Sequence, residues 1–305
     1  MKKIQGSEAI LKSLIGENIE MIFGYPGGAI MPIYDSLYNY MDKITHILTR
    51  HEQGAIHAAQ GYSRVTGKVG VCFATSGPGA TNLITGLADA QIDSTPLVCI
   101  TGQVPSQLLG TDAFQESDII GISMPVTKWN YQITNANEIA EVMSKAFYIA
   151  VSGRPGPVLI DITKDAQFSE IEFKYKKCEK IRSYHPYPII RKTKIKEAAK
   201  IINNSKKPLI LVGQGVLISN AEVELQQLSE KTGIPVASTL LGLSSISCQH
   251  KNYVGYLGMH GNYGPNLKTN DADLLIAIGM RFDDRVTGDT SKYGINAKII
   301  HIEID

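Results

Sequence analysis

The stretch Ile19-Glu20-Met21-Ile22-Phe23-Gly24-Tyr25-Pro26-Gly27-Gly28-Ala29 passes from an apolar run directly into a glycine-rich turn. Such a run reads as a buried strand, and glycines after it let the backbone turn tightly or approach a ligand. The same order recurs in VGVCFATSGPGATN (69–82). Around these two segments, ITHILT (44–49), PLVCIT (96–101) and PVLIDI (157–162) form further short apolar runs. EQGAIHAAQGYSRVTG (52–67) and NANEIAEVMSKAFYIAVSG (135–153) carry helical patterns. Short strands alternating with longer helices predict an α/β domain, a doubly wound parallel sheet over residues 1–165.

Residues 174–207 then hold twelve Lys or Arg against two acids and include Pro186 and Pro188. This shift of character reads as an inter-domain linker, placed at 166–192, or as a basic binding patch. From 193 onward, PLILVG, a helix from about Asn220 to Thr232, IPVAST, DLLIAIG and KIIHIEID repeat the alternation. A second, Rossmann-like domain is therefore expected over 193–305. It ends on a strand at Asp305 without the helix of a βαβ crossover, so it is expected to be truncated.

Composition limits the function classes. With 305 residues, 43% of them hydrophobic, the chain can bury two cores. Thirty basic against 29 acidic residues leave a net charge of +1, which recruits neither nucleic acid nor an anionic membrane. Ile10, Leu14 and Ile15 recur at helical spacing near the start, interrupted by Lys12 and Glu17, which predicts a folded helix rather than a secretion signal. No apolar run reaches the ~20 residues of a membrane span. Cys72, Cys99, Cys178 and Cys248 form no CxxC pair and are expected as buried free thiols in a reducing compartment. A bacterial cytoplasm is the simplest location, with a plastid interior also open.

Three segments converge on the carboxyl edge of the first sheet, where open α/β folds bind ligands. The Gly27-Gly28-Ala29 turn is either a ligand cradle or a tight connection. Thr75-Ser76-Gly77-Pro78-Gly79 precedes a helix but lacks the lysine and hydroxyl of a Walker loop, which argues against nucleotide triphosphate hydrolysis. Between them, Thr49-Arg50-His51-Glu52 places a carboxylate at the first turn of a helix. Alone, Glu52 would complement the helix dipole. Flanked by two glycine loops, it is a candidate for proton chemistry. His51 and His57 lie six apart with no HExxH motif, so a metal reading is set aside. In the second domain Gly213-Gln214-Gly215 is half of a dinucleotide fingerprint. Arg281 leaves a strand where it suits a phosphate or an electron-rich ring, or pairs with Asp283 or Asp284. Glu303 ends a strand where an acid accepts a ribose hydroxyl.

Together FGYPGGAIMPIYDSL, RHEQGAIHAAQGYSRVTGKVGVCFATSGPGATN, ITGQVPSQLLGTDAFQE, GRPGPVLIDITKD, LGMHG and GMRFDDRVTG resemble the acetolactate synthase catalytic subunit over the whole chain. The resemblance implies a pyrimidine-binding domain for thiamine diphosphate at 1–165 and a central FAD-binding domain at 193–305. It also implies a third domain for the diphosphate and Mg2+, whose GDG signature does not occur in this chain. The glutamate matching Glu52 would hydrogen-bond the aminopyrimidine and favour the imino form that deprotonates the thiazolium. Pyruvate would then be decarboxylated, and its two-carbon unit joined to a second 2-keto acid, pyruvate or 2-ketobutyrate, toward valine, leucine and isoleucine.

By the same resemblance, Gly27, Gly28 and Ala29 face the reacting end of the cofactor, and Phe114, Gln115 and Lys164 line the substrate approach. Arg154, His260, Gly261, Arg281 and Glu303 are assigned to a flavin that takes no redox part. A homodimer or tetramer through the pyrimidine domain, with a small regulatory subunit, is implied as well. Because family active sites are shared between subunits, the segment is expected to be inactive alone. Gln60 and Ser63 depart mildly from relatives. Alternatives are pyruvate oxidase, glyoxylate carboligase, a flavin-free acetolactate synthase, or a non-catalytic nucleotide-binding module. Glu52 argues against the carboligase, and RFDDRVTG favours the biosynthetic synthase.

Overall fold

In the computed structural model, which describes residues 3–305, the chain parts between Tyr187 and Pro188 into two units. The strands of the first are β1 (Lys3–Gln5), β2 (Met21–Gly24), β3 (Thr45–Leu48), β4 (Gly70–Ala74), β5 (Leu97–Gln103), β6 (Trp129–Ile133), β7 (Pro157–Thr163) and β8 (Glu170–Glu172). Six of them form a parallel sheet in the order β3-β2-β4-β5-β7-β6. Strand order reverses between β2 and β4, so the switch point lies between the two glycine loops.

Alternation along the central strands explains why both faces need cover. Val71, Phe73, Val98, Ile100, Val158 and Ile160 pack with Ile10, Leu11 and Leu14 of the helix Gly6–Gly16 and with Met143 and Phe147 of the helix Ile139–Val151. Cys72, Ala74, Leu97, Cys99 and Leu159 point the other way, onto Ile56 and Ala59 of the helix Glu52–Thr66 and Leu87 of Ile84–Ile92. β4, β5 and β7 are buried along their whole lengths, which gives the continuous apolar runs typical of a parallel sheet covered on both faces.

The strand β6, WNYQI, escapes a hydropathy reading because Asn130 and Gln132 interrupt it. The stretch 166–192, expected as a linker, contains the end of the helix Lys164–Phe168 and all of β8, which pairs antiparallel with β1. Phe173 and Tyr175 also pack on the first core. All four cysteines are free, but only Cys72 and Cys99 are buried; Cys178 is half-buried and Cys248 exposed, correcting the expectation of four buried thiols.

The second unit holds β9 (Pro208–Val212), β10 (Val236–Ser238), β11 (Tyr253–Tyr256), β12 (Leu274–Ile278) and β13 (Lys298–Ile302). They form a parallel sheet ordered β11-β10-β9-β12-β13, with its switch point between β9 and β12. There Gly213 and Gly215 meet Gly279 backbone to backbone, and a Cβ on Gly213 would stand 2.3 Å from the Gly279 carbonyl oxygen. The half-fingerprint is thus used for close packing of two loops. Among the described residues no helix is long and apolar enough to cross a membrane.

Candidate active site

Glu52 is the first residue of its helix, and the His51 side chain caps that helix by accepting the Gln53 N–H at 3.1 Å. The loop entering it is tied to the end of β2, since Thr49 donates its backbone N–H to the Gly24 carbonyl at 3.1 Å. These ties bring a carboxylate to the switch point, and Glu52 is only 8% exposed there. Asn82 donates its amide to Oε2 at 2.9 Å. The other oxygen, Oε1, faces the second glycine loop, 3.2 Å from where a Cβ on Gly79 would stand. Among the described residues no hydrogen bond reaches Oε1. One oxygen of the carboxyl is thus held by the protein, and the other is left to accept from a ligand.

The glycines around it do different work. Gly27 lies against Thr75, whose Cβ would be 2.5 Å from a Cβ there, and the Thr75 hydroxyl accepts the Ala29 N–H at 3.1 Å. The two loops are therefore clasped together. Gly28 instead looks into open space, with nothing within 4 Å of its missing Cβ. The Ala29 carbonyl is pinned from below by the Gln167 amide at 2.8 Å, and a Cβ on Gly102 would stand 2.4 Å from it. The turn is thus rigid on its sheet side and open at Gly28, as a cradle for a planar ring requires.

Gln115 sits beside Gly77 with a left-handed backbone, φ +57°, and a Cβ on Gly77 would stand 2.6 Å from its carbonyl oxygen. Phe114 is 87% exposed. Lys164, half-buried, opens the helix that follows β7. Its neighbour Asp165 accepts the backbone N–H and hydroxyl of Ser106 at 2.8 and 2.6 Å, which fixes that helix to the end of β5. Glu52, Gly27, Gly28, Ala29, Gln115 and Lys164 thus all lie at the carboxyl edge of one sheet.

Arg154 lies at the opposite, amino edge, where its Nε donates to Ser94 at 2.9 Å and a terminal nitrogen to the Ile92 carbonyl at 3.1 Å. The other flavin candidates belong to the second unit. The loop carrying His260 and Gly261 follows β11 and reaches the segment after β12, where the Met259 N–H donates to the Arg285 carbonyl at 2.7 Å. Arg281 pairs with Asp283 at 3.4 Å yet keeps half its surface free. Glu303 follows β13 and accepts the Ile304 N–H at 2.8 Å. An exposed guanidinium and a carboxylate at the carboxyl edge of a Rossmann-type sheet fit an anionic dinucleotide. Among the described residues no group of three or more His, Cys, Asp or Glu is arranged to hold a metal ion.

A hydropathy reading misses Asn82, Gln103 and Asp161. Asn82 lies 30 residues from Glu52, and no periodicity links them. Asp161 is fully buried within β7 and accepts from Thr101 at 2.6 Å, Gln132 at 2.8 Å and Gln103 at 3.2 Å. Burial pushes its carboxyl up to about 6 against the pull of these three donors. The signal for it was present: an aspartate inside an otherwise apolar strand is almost never buried without partners.

Comparison with known proteins gives the family of both units. Residues 4–122 match the thiamine pyrophosphate enzyme N-terminal TPP binding domain, and residues 195–305 the thiamine pyrophosphate enzyme central domain. The acetolactate synthase large subunit of Corynebacterium glutamicum is 51% identical over 304 residues, covering 100% of this chain and 48% of that protein. A probable acetolactate synthase large subunit of Methanococcus aeolicus is 50% identical over 305 residues, covering 99% and 51%. The Haemophilus influenzae acetolactate synthase large subunit is 47% identical over 307 residues, covering 100% and 53%. The chain spans about half the length of these curated relatives. With both domains matched and the similarity unbroken along its length, the chain belongs to the thiamine pyrophosphate enzymes and is similar throughout to their acetolactate synthase large subunits.

Proposed function

We propose that the full-length protein is an acetolactate synthase, decarboxylating pyruvate on thiamine diphosphate and joining the two-carbon unit to pyruvate or 2-ketobutyrate. The product would feed valine, leucine and isoleucine synthesis. The observation that carries this reading is Glu52, buried between two glycine loops with Oε2 held by Asn82 and Oε1 free to accept. Bound thiamine diphosphate supplies a thiazolium carbon acid and the electron sink for decarboxylation.

The chain's own contribution is orientation and proton control. Asn82 aims the carboxyl of Glu52, whose Oε1 is placed to accept from, or return a proton to, an aminopyrimidine nitrogen. The open side of Gly28 leaves room for the reacting end of the cofactor. Lys164 offers a cation to the carboxylate of a 2-keto acid, while Phe114 and Gln115 border its approach.

A flavin held by the second unit through Arg281, Glu303 and the His260–Gly261 loop is part of the proposal, supported by the switch-point geometry. Magnesium has no ligand set among the described residues, and no step is assigned to it. Exposed Met31, Leu48 and Phe114 at the site edge support association of two copies through the first unit. A regulatory subunit and a cytoplasmic location complete the reading, and the segment by itself is expected to be inactive. The test is acetolactate formation from pyruvate by the full-length protein with thiamine diphosphate, magnesium and FAD. Release of acetaldehyde would instead indicate non-oxidative decarboxylation without ligation, and reduction of an acceptor a pyruvate oxidase type of enzyme.

A further inference from the structure

Gln103, the last residue of β5, is 1% exposed and uses its whole amide. Its oxygen accepts the Val104 N–H at 2.9 Å. Its nitrogen donates to Asp161 Oδ2 at 3.2 Å and to the Ser117 carbonyl at 3.1 Å. This set admits one orientation only, because flipping the amide would turn its oxygen toward a carboxylate and a carbonyl. Asp161 is itself fixed by Thr101 and Gln132 on the two neighbouring strands. The carbonyl of Ser117 is therefore tied to the buried centre of the sheet.

Ser117 ends a loop that closes on itself. Glu116 gathers the backbone N–H groups of Gly110, of Thr111 at 3.2 Å and of Ala113 at 3.3 Å on one carboxylate. Between these two attachments lie Phe114 and Gln115. Gln115 adopts a left-handed backbone that a glutamine holds only when its surroundings impose it, and its carbonyl lies against Gly77 of the second glycine loop.

We infer that Gln103 and Glu116 are positioning residues for substrate, holding Phe114 and Gln115 in register with Gly77 from the sheet side and from the loop side. The inference rests on the reading of Phe114 and Gln115 as the substrate approach. Neither Gln103 nor Glu116 touches substrate; each acts through the loop between them.

The test compares Gln103→Met, Glu116→Gln and, as a matched loss of a buried amide hydrogen bond outside this network, Gln60→Met, which removes the donor to the Gly86 carbonyl at 2.7 Å. KM and kcat for pyruvate are measured on the full-length protein, with amide hydrogen exchange of residues 108–118. Gln103→Met and Glu116→Gln are expected to raise KM about tenfold with a smaller change in kcat, and to speed exchange in the loop. Gln60→Met should lower Tm while leaving KM and loop exchange at wild-type values. Unchanged loop exchange in both loop variants overturns the inference, as does faster exchange with unchanged KM. If Gln103→Met does not fold, Glu116→Gln, at a half-buried loop position, decides by the same readouts. If the wild type makes no acetolactate, the functional reading has failed, whereas loop exchange still reports whether the two residues hold the loop.

Discussion

Asn82 donates its side-chain amide to Oε2 of Glu52 at 2.9 Å across the two glycine loops, leaving Oε1 as the unpaired oxygen of a buried carboxyl. Glu52→Gln replaces one of these oxygens with an amide nitrogen that cannot act as a base. Acetolactate formation is expected to fall by about 10²- to 10⁴-fold. A full rate in the variant would reduce Glu52 to a charge that complements its helix.

Asn82 acts through Glu52, so its substitutions should be graded. Asn82→Leu removes the donor and lets the carboxyl turn, and a loss of rate smaller than that of Glu52→Gln is expected. Asn82→Asp sets a second carboxylate against the first and should cost more than Asn82→Leu. Steady-state rates of the three variants check the order.

Gly27 and Gly28 are adjacent in sequence and opposite in surroundings. Gly27→Ala drives a methyl into Thr75, 2.5 Å away, and is expected to destabilise the fold by about 1–3 kcal/mol. Gly28→Ala meets nothing within 4 Å, so Tm should stay near wild type while cofactor affinity or rate falls because the methyl occupies the cradle. Thermal melts beside activity separate the two, and equal Tm losses would contradict the assignment of space.

Burial raises Asp161 from the ordinary aspartate range to about 6, so the folded chain holds this proton more tightly than the unfolded chain. The linked stability is complete below the ordinary aspartate pKa and is lost as pH rises through about 6. It amounts to about 3 kcal/mol. Asp161→Asn should remove this part of the slope. Tm of wild type and variant measured from about pH 4 to about pH 7 should therefore converge or cross, and parallel curves would show that Asp161 does not titrate there.

The thiols should divide by exposure. A thiol reagent is expected to modify Cys248 quickly and Cys178 more slowly in the folded protein, with Cys72 and Cys99 reacting only after unfolding. Mass mapping of labelled peptides gives the order.

Runs such as PVLIDI and PLVCIT, bounded by turn residues and separated by helical patterns, were enough to specify two parallel α/β sheets, because burial on both faces writes itself into consecutive apolar residues. The glycine loops and Glu52 were equally legible, since each directly follows a strand and must emerge at the same edge. β6 was not, because its polar residues are satisfied by neighbours that only the fold supplies: Gln132 by Asp161, and Asn130 by Ser123 and the Ile120 carbonyl. The same holds for Asn82 with Glu52 and for Gln103 with Ser117. The sequence alone determined the apolar strands of both sheets and the edge at which the glycine loops and Glu52 emerge, but not β1, β6, β8 or β11. The tertiary structure decided which polar side chains meet, because hydrogen-bond partners 7 to 30 residues apart leave no periodic trace along the chain.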